Sequence, residues 1–394
     1  MDIYNIWPIV QTYMTGFRYL WRFPIYFIPR DKAFVHLRRD SFQYRVWAAV
    51  VPTNMVLFLL SSIGILLWAN FSKTNVPSIS TIMNGTMMAL FGTFLSLFHT
   101  LTGFGAMRWM EECTYTGNQL AKDRNDLIRV KSSTPGTILL PRSKTRLRLE
   151  IKFLQQIMLQ VSLTPFIIIP VLLFTGYPSL KPTLLGRCFN IFFCAFEGFR
   201  MIGCVGVILF MRILAYVSYL NELSNLLKCK KRSKFTDYKD VLRFYDRIRL
   251  SFKHEHEMIS NFSALVLFTM FTVLLTNNFI CLKMHHVFPP HFFAFFPTTN
   301  LTAYGVLHLG FYAVLLATNK SAGVLAEIGG KLASSVRIRI RRKWLQRRMK
   351  SVNKLQVPVG IGNVVLFHFS KDTRTTFYLL LLDNTINLLL SVYL

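Results

Sequence analysis

The sequence predicts an all-α, polytopic membrane protein with seven transmembrane helices, its N-terminus cytoplasmic and its C-terminus extracellular. Three observations lead there. The chain is 52% hydrophobic, with 36 Phe, and only 16% charged, against about 25% charged residues in a soluble domain. Uncharged stretches recur at the length of about 20 residues that a helix needs to cross the hydrocarbon core. Lys and Arg fall in alternate connections between those stretches, the pattern that sets topology.

The spans follow in order. Trp47 to Ala69 lies in the uncharged stretch between Arg45 and Lys73, and Ser80 to Met107 in the one between Lys73 and Arg108. A third span fills the gap between Lys152 and Lys181, and a fourth runs from Cys188 to Leu220, carrying Glu197, Arg200 and Arg212. The fifth lies between Glu257 and Lys283. The sixth begins after Pro289, Pro290 and Pro297 and ends at Thr318, and the seventh is 375–394. Segment 1–46 then holds seven Lys and Arg, 108–152 ten, 221–257 ten and 320–356 eleven, against one, two and one in 70–78, 181–187 and 283–297. The basic set, 38 residues against 4, is cytoplasmic. The chain divides accordingly into a cytoplasmic segment 1–46, six helices with helical cytoplasmic loops over 47–320, a basic approach over 321–374, and the last helix over 375–394. No short apolar core with a small-residue cleavage site occurs in 1–46, so no removable signal peptide is expected.

The net charge of +28, from 46 Lys and Arg against 18 Asp and Glu, would point to nucleic acid in a soluble protein; interleaved with apolar spans, it orients them. The six cysteines, 113, 188, 194, 204, 229 and 281, show no CxxC spacing. Cys188 and Cys281 both fall near the outer surface, where two free thiols are the expectation over a disulfide. No catalytic signature of the GxSxG, HExxH, phosphate-loop or dinucleotide type is present, so neither an enzyme nor a cofactor is expected. The run His254-Glu255-His256-Glu257 reads as a solvated stretch at the end of span five rather than a metal site, because alternate residues on a helix diverge by about 200°. Asn70-Phe-Ser and Asn300-Leu-Thr are sequons at or beside external loops, whereas Asn319-Lys-Ser falls at a cytoplasmic end.

Ionisable residues within spans mark function or structural pairing. Glu197 and Arg200, at i and i+3, can neutralise each other either as a structural ion pair or as a polar anchor in a ligand cavity lined by Phe193 and Phe196. Tyr304, His308 and Phe311 share one face of span six. Val241, Tyr245, Ile248 and Phe252 form an apolar stripe at helical spacing. That stripe is expected to pack against neighbouring helices or another subunit, with an amphipathic helix on anionic lipid as the alternative. The basic run 331–350, broken by Trp344 and Leu345, favours contact with the inner leaflet. Asp383 lies in the last span with Asn387 one turn later.

Seven spans, an internal N-terminus and the stretch Tyr245 to Phe262 (YDRIRLSFKHEHEMISNF) resemble the arthropod gustatory and odorant receptor superfamily. So does the C-terminal stretch LQVPVGIGNVVLFHFSKDTRTTFYLLLLDNTINLLLSVYL. The family's terminal signature is Thr-Tyr, five apolar residues and Gln-Phe. It falls on Thr385-Ile386, then Asn387 to Ser391, then Val392-Tyr393, with only the Thr kept. The resemblance implies a gustatory-type chemosensory receptor in the plasma membrane, a ligand-gated non-selective cation channel of four like or unlike subunits. It implies a small tastant or odorant as ligand among spans two, three, four and six, subunit contacts through the cytoplasmic parts of spans four to seven, and a pore lined by Asp383, Ile386 and Asn387. The alternatives are a seven-helix G-protein-coupled receptor, which the charge bias and the missing NPxxY oppose, and a transporter or membrane enzyme.

Overall fold

The computed structural model describes residues 7–17, 25–28, 33–49, 212–225, 238–283, 295–335 and 351–391, with scattered positions between 53 and 60, 108 and 122, 152 and 159, 206 and 210, and at 227, 285–286, 293–294, 343 and 347–348. In chain order these form α1 (Trp7–Gly16), β1 (Ile25–Ile28), β2 (Ala33–His36), α2 (Tyr238–His254), α3 (His256–Lys283), α4 (Phe295–Ser335), β3 (Pro358–Ile361), β4 (Val364–His368) and α5 (Lys371–Ser391). Residues 212–225 are also helical. The chain is mostly helical, as expected, but two antiparallel hairpins, β1–β2 and β3–β4, amend the all-α expectation.

α3 and α4 are long and apolar enough to cross a membrane, over His256–Lys283 and Phe296–Gly330, with mean hydropathies of 2.0 and 1.5. At 1.5 Å per residue, the 41 residues of α4 extend about 62 Å, twice the hydrocarbon thickness of about 30 Å. The helix therefore continues far beyond Thr318, where the sequence reading ended the span. Pro297 sits in its first turn, where the missing N–H is not needed, and no proline interrupts it afterwards.

Charge burial fixes the joint between α2 and α3. The helices are separated only by Glu255, whose N–H donates to Ser251 O at 3.2 Å and whose carbonyl accepts from Ile259 N–H at 2.9 Å. Glu255 is 1% exposed. Its carboxylate meets Arg212 Nη1 at 2.7 Å and accepts the Tyr216 hydroxyl at 2.9 Å. The solvated reading of the His254–Glu257 run is thus corrected at Glu255: helix 212–225 supplies a cation and a hydroxyl that make burial possible. Glu257 pairs with Arg108 at 3.0 Å, while Trp109 packs edge-on to Phe262.

The stripe on α2 turns inward. Tyr245 and Ile248 are 0% and 1% exposed and Phe252 is buried; Val241 lies in α2, its side chain outside the described set. Tyr245 Oη shares a hydrogen with Ser321 Oγ of α4 at 2.7 Å and donates to Asn353 O at 3.1 Å. Ser321 Oγ also accepts Leu355 N–H at 2.7 Å. Burial pushes the Tyr245 hydroxyl above its ordinary range, which keeps it a neutral bridging group. Of the stripe expected to pack against neighbouring helices or another subunit, Tyr245, Ile248 and Phe252 are therefore buried within the chain, with Tyr245 joining α2, α4 and residues 353–355.

β3 and β4 form a hairpin resting on the start of α3. Gly362, at φ 60°, makes the turn, and its N–H donates to Asn261 Oδ1 at 2.6 Å. A Cβ on Gly360 would collide with the Val364 carbonyl and Ser260 Oγ. The register slips between Val359 and Gly360, turning Leu366 out of the ladder as a bulge. β3 is mostly buried while β4 is mostly exposed.

Candidate functional site: the two faces of the terminal helix

α5 begins on a reciprocal cap. Thr373 N–H donates to Ser370 Oγ at 3.2 Å and Ser370 N–H to Thr373 Oγ1 at 3.1 Å. Asp372 stands in the first turn, where a carboxylate meets the positive end of the helix dipole.

One face of α5 is packed, and it faces α3 and α4. Phe377 meets Phe271 of α3 and Phe311 of α4 edge-on, at 5.7 and 5.8 Å between ring centroids. Tyr378 stacks on Tyr304 at 6.3 Å, and Phe311 also meets Phe369. Leu381 and Thr385 are 2% and 4% exposed. Further along, Asn278 of α3 donates to Tyr304 Oη at 3.2 Å and to Thr385 Oγ1 at 3.4 Å. Its Oδ1 accepts from Asn300 Nδ2 of α4 at 2.6 Å. Lys283 Nζ reaches Leu389 O at 2.9 Å.

The other face is bare. At 100° per residue, Asp372, Leu379, Asp383, Ile386, Asn387 and Leu390 fall opposite Leu381 and Thr385, and all six are exposed. Leu379 and Leu390 are 61% and 68% exposed. No hydrogen bond or ion pair reaches Asp383 among the described residues. Arg212 is held by Glu255. Asp383 lies about 18 Å along the helix from its start at 1.5 Å per residue, close to mid-height. An ionised carboxylate there is costly against lipid, so this face is suited to water or protein.

Of the candidate ligand residues, Tyr304 and Phe311 belong to the contact between α4 and α5, while His308, one turn from Tyr304, is exposed. Phe193, Phe196, Glu197 and Arg200 lie outside the described residues, as does Cys188; Cys281 is a free thiol. Asn300 is not an open sequon, because its amide nitrogen is bound to Asn278 within a helix. The sequence reading missed Asn278, which carried no motif and announced itself only as an amide in an apolar span.

These features define a helical membrane protein whose terminal helix keeps an unpacked polar stripe in a single copy. Its fold is that of an insect olfactory receptor. The solved structure of the insect olfactory receptor OR5 from Machilis hrabei in complex with eugenol superposes with a TM-score of 0.62 over 100% of both chains, at 11% sequence identity. A second structure of that receptor gives 0.58 over 99% of both chains at 12% identity. No protein-family model matches the chain, and no curated protein does.

Proposed function

We propose that this chain is a chemosensory receptor of the gustatory type that acts as a ligand-gated, non-selective cation channel in the plasma membrane. In this reading seven spans put the termini on opposite sides, and the Lys and Arg bias of the connections supports a cytoplasmic N-terminus. Four copies, or copies with a related chain, surround an axis lined by the bare face of α5. The observation that carries this reading is Asp383, exposed and unpaired at mid-height on the helix face opposite the packed one. Four such carboxylates form an acidic ring that favours cations, with Ile386 and Asn387 lining the same passage. The shared fold supports the class. The G-protein-coupled alternative has no observation in its favour.

Eugenol, bound by the receptor of similar fold, indicates the size and polarity of a fitting ligand: a small, largely apolar molecule with one or two polar groups. We assign Phe193, Phe196, Glu197, Arg200, Tyr304, His308 and Phe311 to its recognition. Asp383→Asn keeps the size and removes the charge, so it is expected to lower cation conductance and calcium preference at normal surface expression. Asp383→Lys is expected to block or reverse selectivity. Reversal potentials under asymmetric salt test both. Wild-type selectivity in both variants would remove Asp383 from the pore.

A further inference from the structure

Asn278 makes three side-chain hydrogen bonds that join three helices at one level: to Asn300 and Tyr304 on α4, and to Thr385 on α5. Thr385 is the buried neighbour of Ile386, and Ile386 faces out beside Asn387. The contacts that hold Thr385 therefore also set what α5 presents on its bare face. In this arrangement the apolar residues presented near the latch, alongside Asn387, are Ile386 and Leu390, 46% and 68% exposed. Brought together around an axis, these side chains form an apolar constriction of the kind that stops ions by dewetting.

The network is incompletely satisfied. Asn300 Oδ1, an acceptor, and Asn277 Nδ2, a donor, are both buried without a hydrogen-bond partner among the described residues, and Asn277 is only 3% exposed. Buried polar groups left unpaired are costly. This arrangement thus leaves one donor and one acceptor unspent among the described residues. Tyr304 adds the link to the other side of the protein: it accepts from Asn278, stacks on Tyr378 of α5, and sits one turn from the exposed His308.

We propose that Asn278 is a positioning residue, a polar latch that holds α5 with Ile386 and Leu390 turned to the axis, and that movement of α4 at Tyr304 releases it. The latch rests on the channel reading and adds the element that links the face of α4 to the passage along α5.

The test is ligand-free current in cells expressing the full chain, normalised to surface-labelled protein, with sodium exchanged for an impermeant organic cation to isolate the conducted part. Asn278→Leu removes all three bonds. Thr385→Val removes one hydroxyl at nearly unchanged shape, so it reports on the latch even if Asn278→Leu reaches the surface poorly. Both are expected to raise ligand-free current several-fold. The double variant is expected to add little to Asn278→Leu, since both act on one contact. Ile386→Asn serves as the control, replacing the apolar ring with amides. Current in Ile386→Asn with none in either latch variant overturns the latch and leaves the channel reading standing. No current in any of the three, at normal surface levels, overturns the channel reading and the latch with it. Additive effects of Asn278→Leu and Thr385→Val would also overturn the latch, because the two residues would then act separately.

Discussion

Removing Arg212 alone and removing it together with Glu255 are expected to have opposite consequences. The Arg212 and Glu255 side chains are 7% and 0% exposed and 2.7 Å apart, so neither solvent nor salt screens them as it does a surface pair. Arg212→Met leaves the Glu255 carboxylate buried, with the Tyr216 hydroxyl as its remaining close partner. Breaking a buried pair in this way costs about 3–5 kcal/mol, a large share of the roughly 5–15 kcal/mol that holds a folded domain. Arg212→Met with Glu255→Leu removes the stranded charge and is expected to recover most of that loss, since apolar replacements of buried pairs are close to neutral or stabilising. The exposed pair Arg39–Glu111, at 57% and 51%, is the internal comparison: its loss is expected to cost at most about 1 kcal/mol. The assay is thermal unfolding of the detergent-solubilised full chain, followed by size-exclusion fluorescence. Refutation would be a single variant as stable as wild type, or a double variant no better than the single; either would mean that Glu255 is reached by water or another cation.

Two further outcomes follow from the same contacts. Gly360→Ala is expected to lift β3 from α3, because the new methyl has no space beside Val364 O and Ser260 Oγ; surface expression should fall sharply, whereas Gly310→Ala, with open space around it, should be silent. Tyr245→Phe keeps the ring buried and removes the bridge to Ser321 and Asn353, so it is expected to cost about 1 kcal/mol, read as a small drop in the same melting assay.

The two candidate spans among the described residues were legible where composition alone decides. α3 lies where an uncharged stretch between Glu257 and Lys283 predicts it, because burial in lipid selects against charge at every position. α4 was legible over its first half, from Pro297 to Thr318; beyond it Lys320, Glu327 and Lys331 interrupt the apolar run, yet the helix continues to Ser335. The β3–β4 hairpin was missed although Gly362-Asn363 sits between two apolar β-prone runs, a hairpin signature. Beside a membrane span, an apolar run is easily taken as part of the approach to the span. Glu255 was misread for a different reason. Its cation, Arg212, lies 43 positions earlier, and no local pattern reveals a pair that only the tertiary packing of helix 212–225 against the α2–α3 joint creates. Asp383 is exposed on α5, and the partner of the packed face, Asn278, belonged to another helix and was out of reach.

α5 shows why average hydropathy is a poor guide to a terminal helix of this kind. Its polar residues fall into two groups with different physical fates. Thr385 bonds to Leu381 O at 2.7 Å and receives Asn278, so its polarity is neutralised within the chain. Asp383 and Asn387 point the other way and have no such partner among the described residues. Turned to lipid, Asp383 alone costs several kcal/mol per copy; turned to a shared aqueous axis, it costs little and becomes useful. The same helix must therefore be fastened on one side and wet on the other. A polar contact at Thr385, unlike a purely apolar one, can be exchanged for another without opening a void. In the channel proposed above, one exchangeable fastening behind Ile386 and Leu390, with Asp383 one turn earlier, lets the helix rotate between a blocked and a conducting setting.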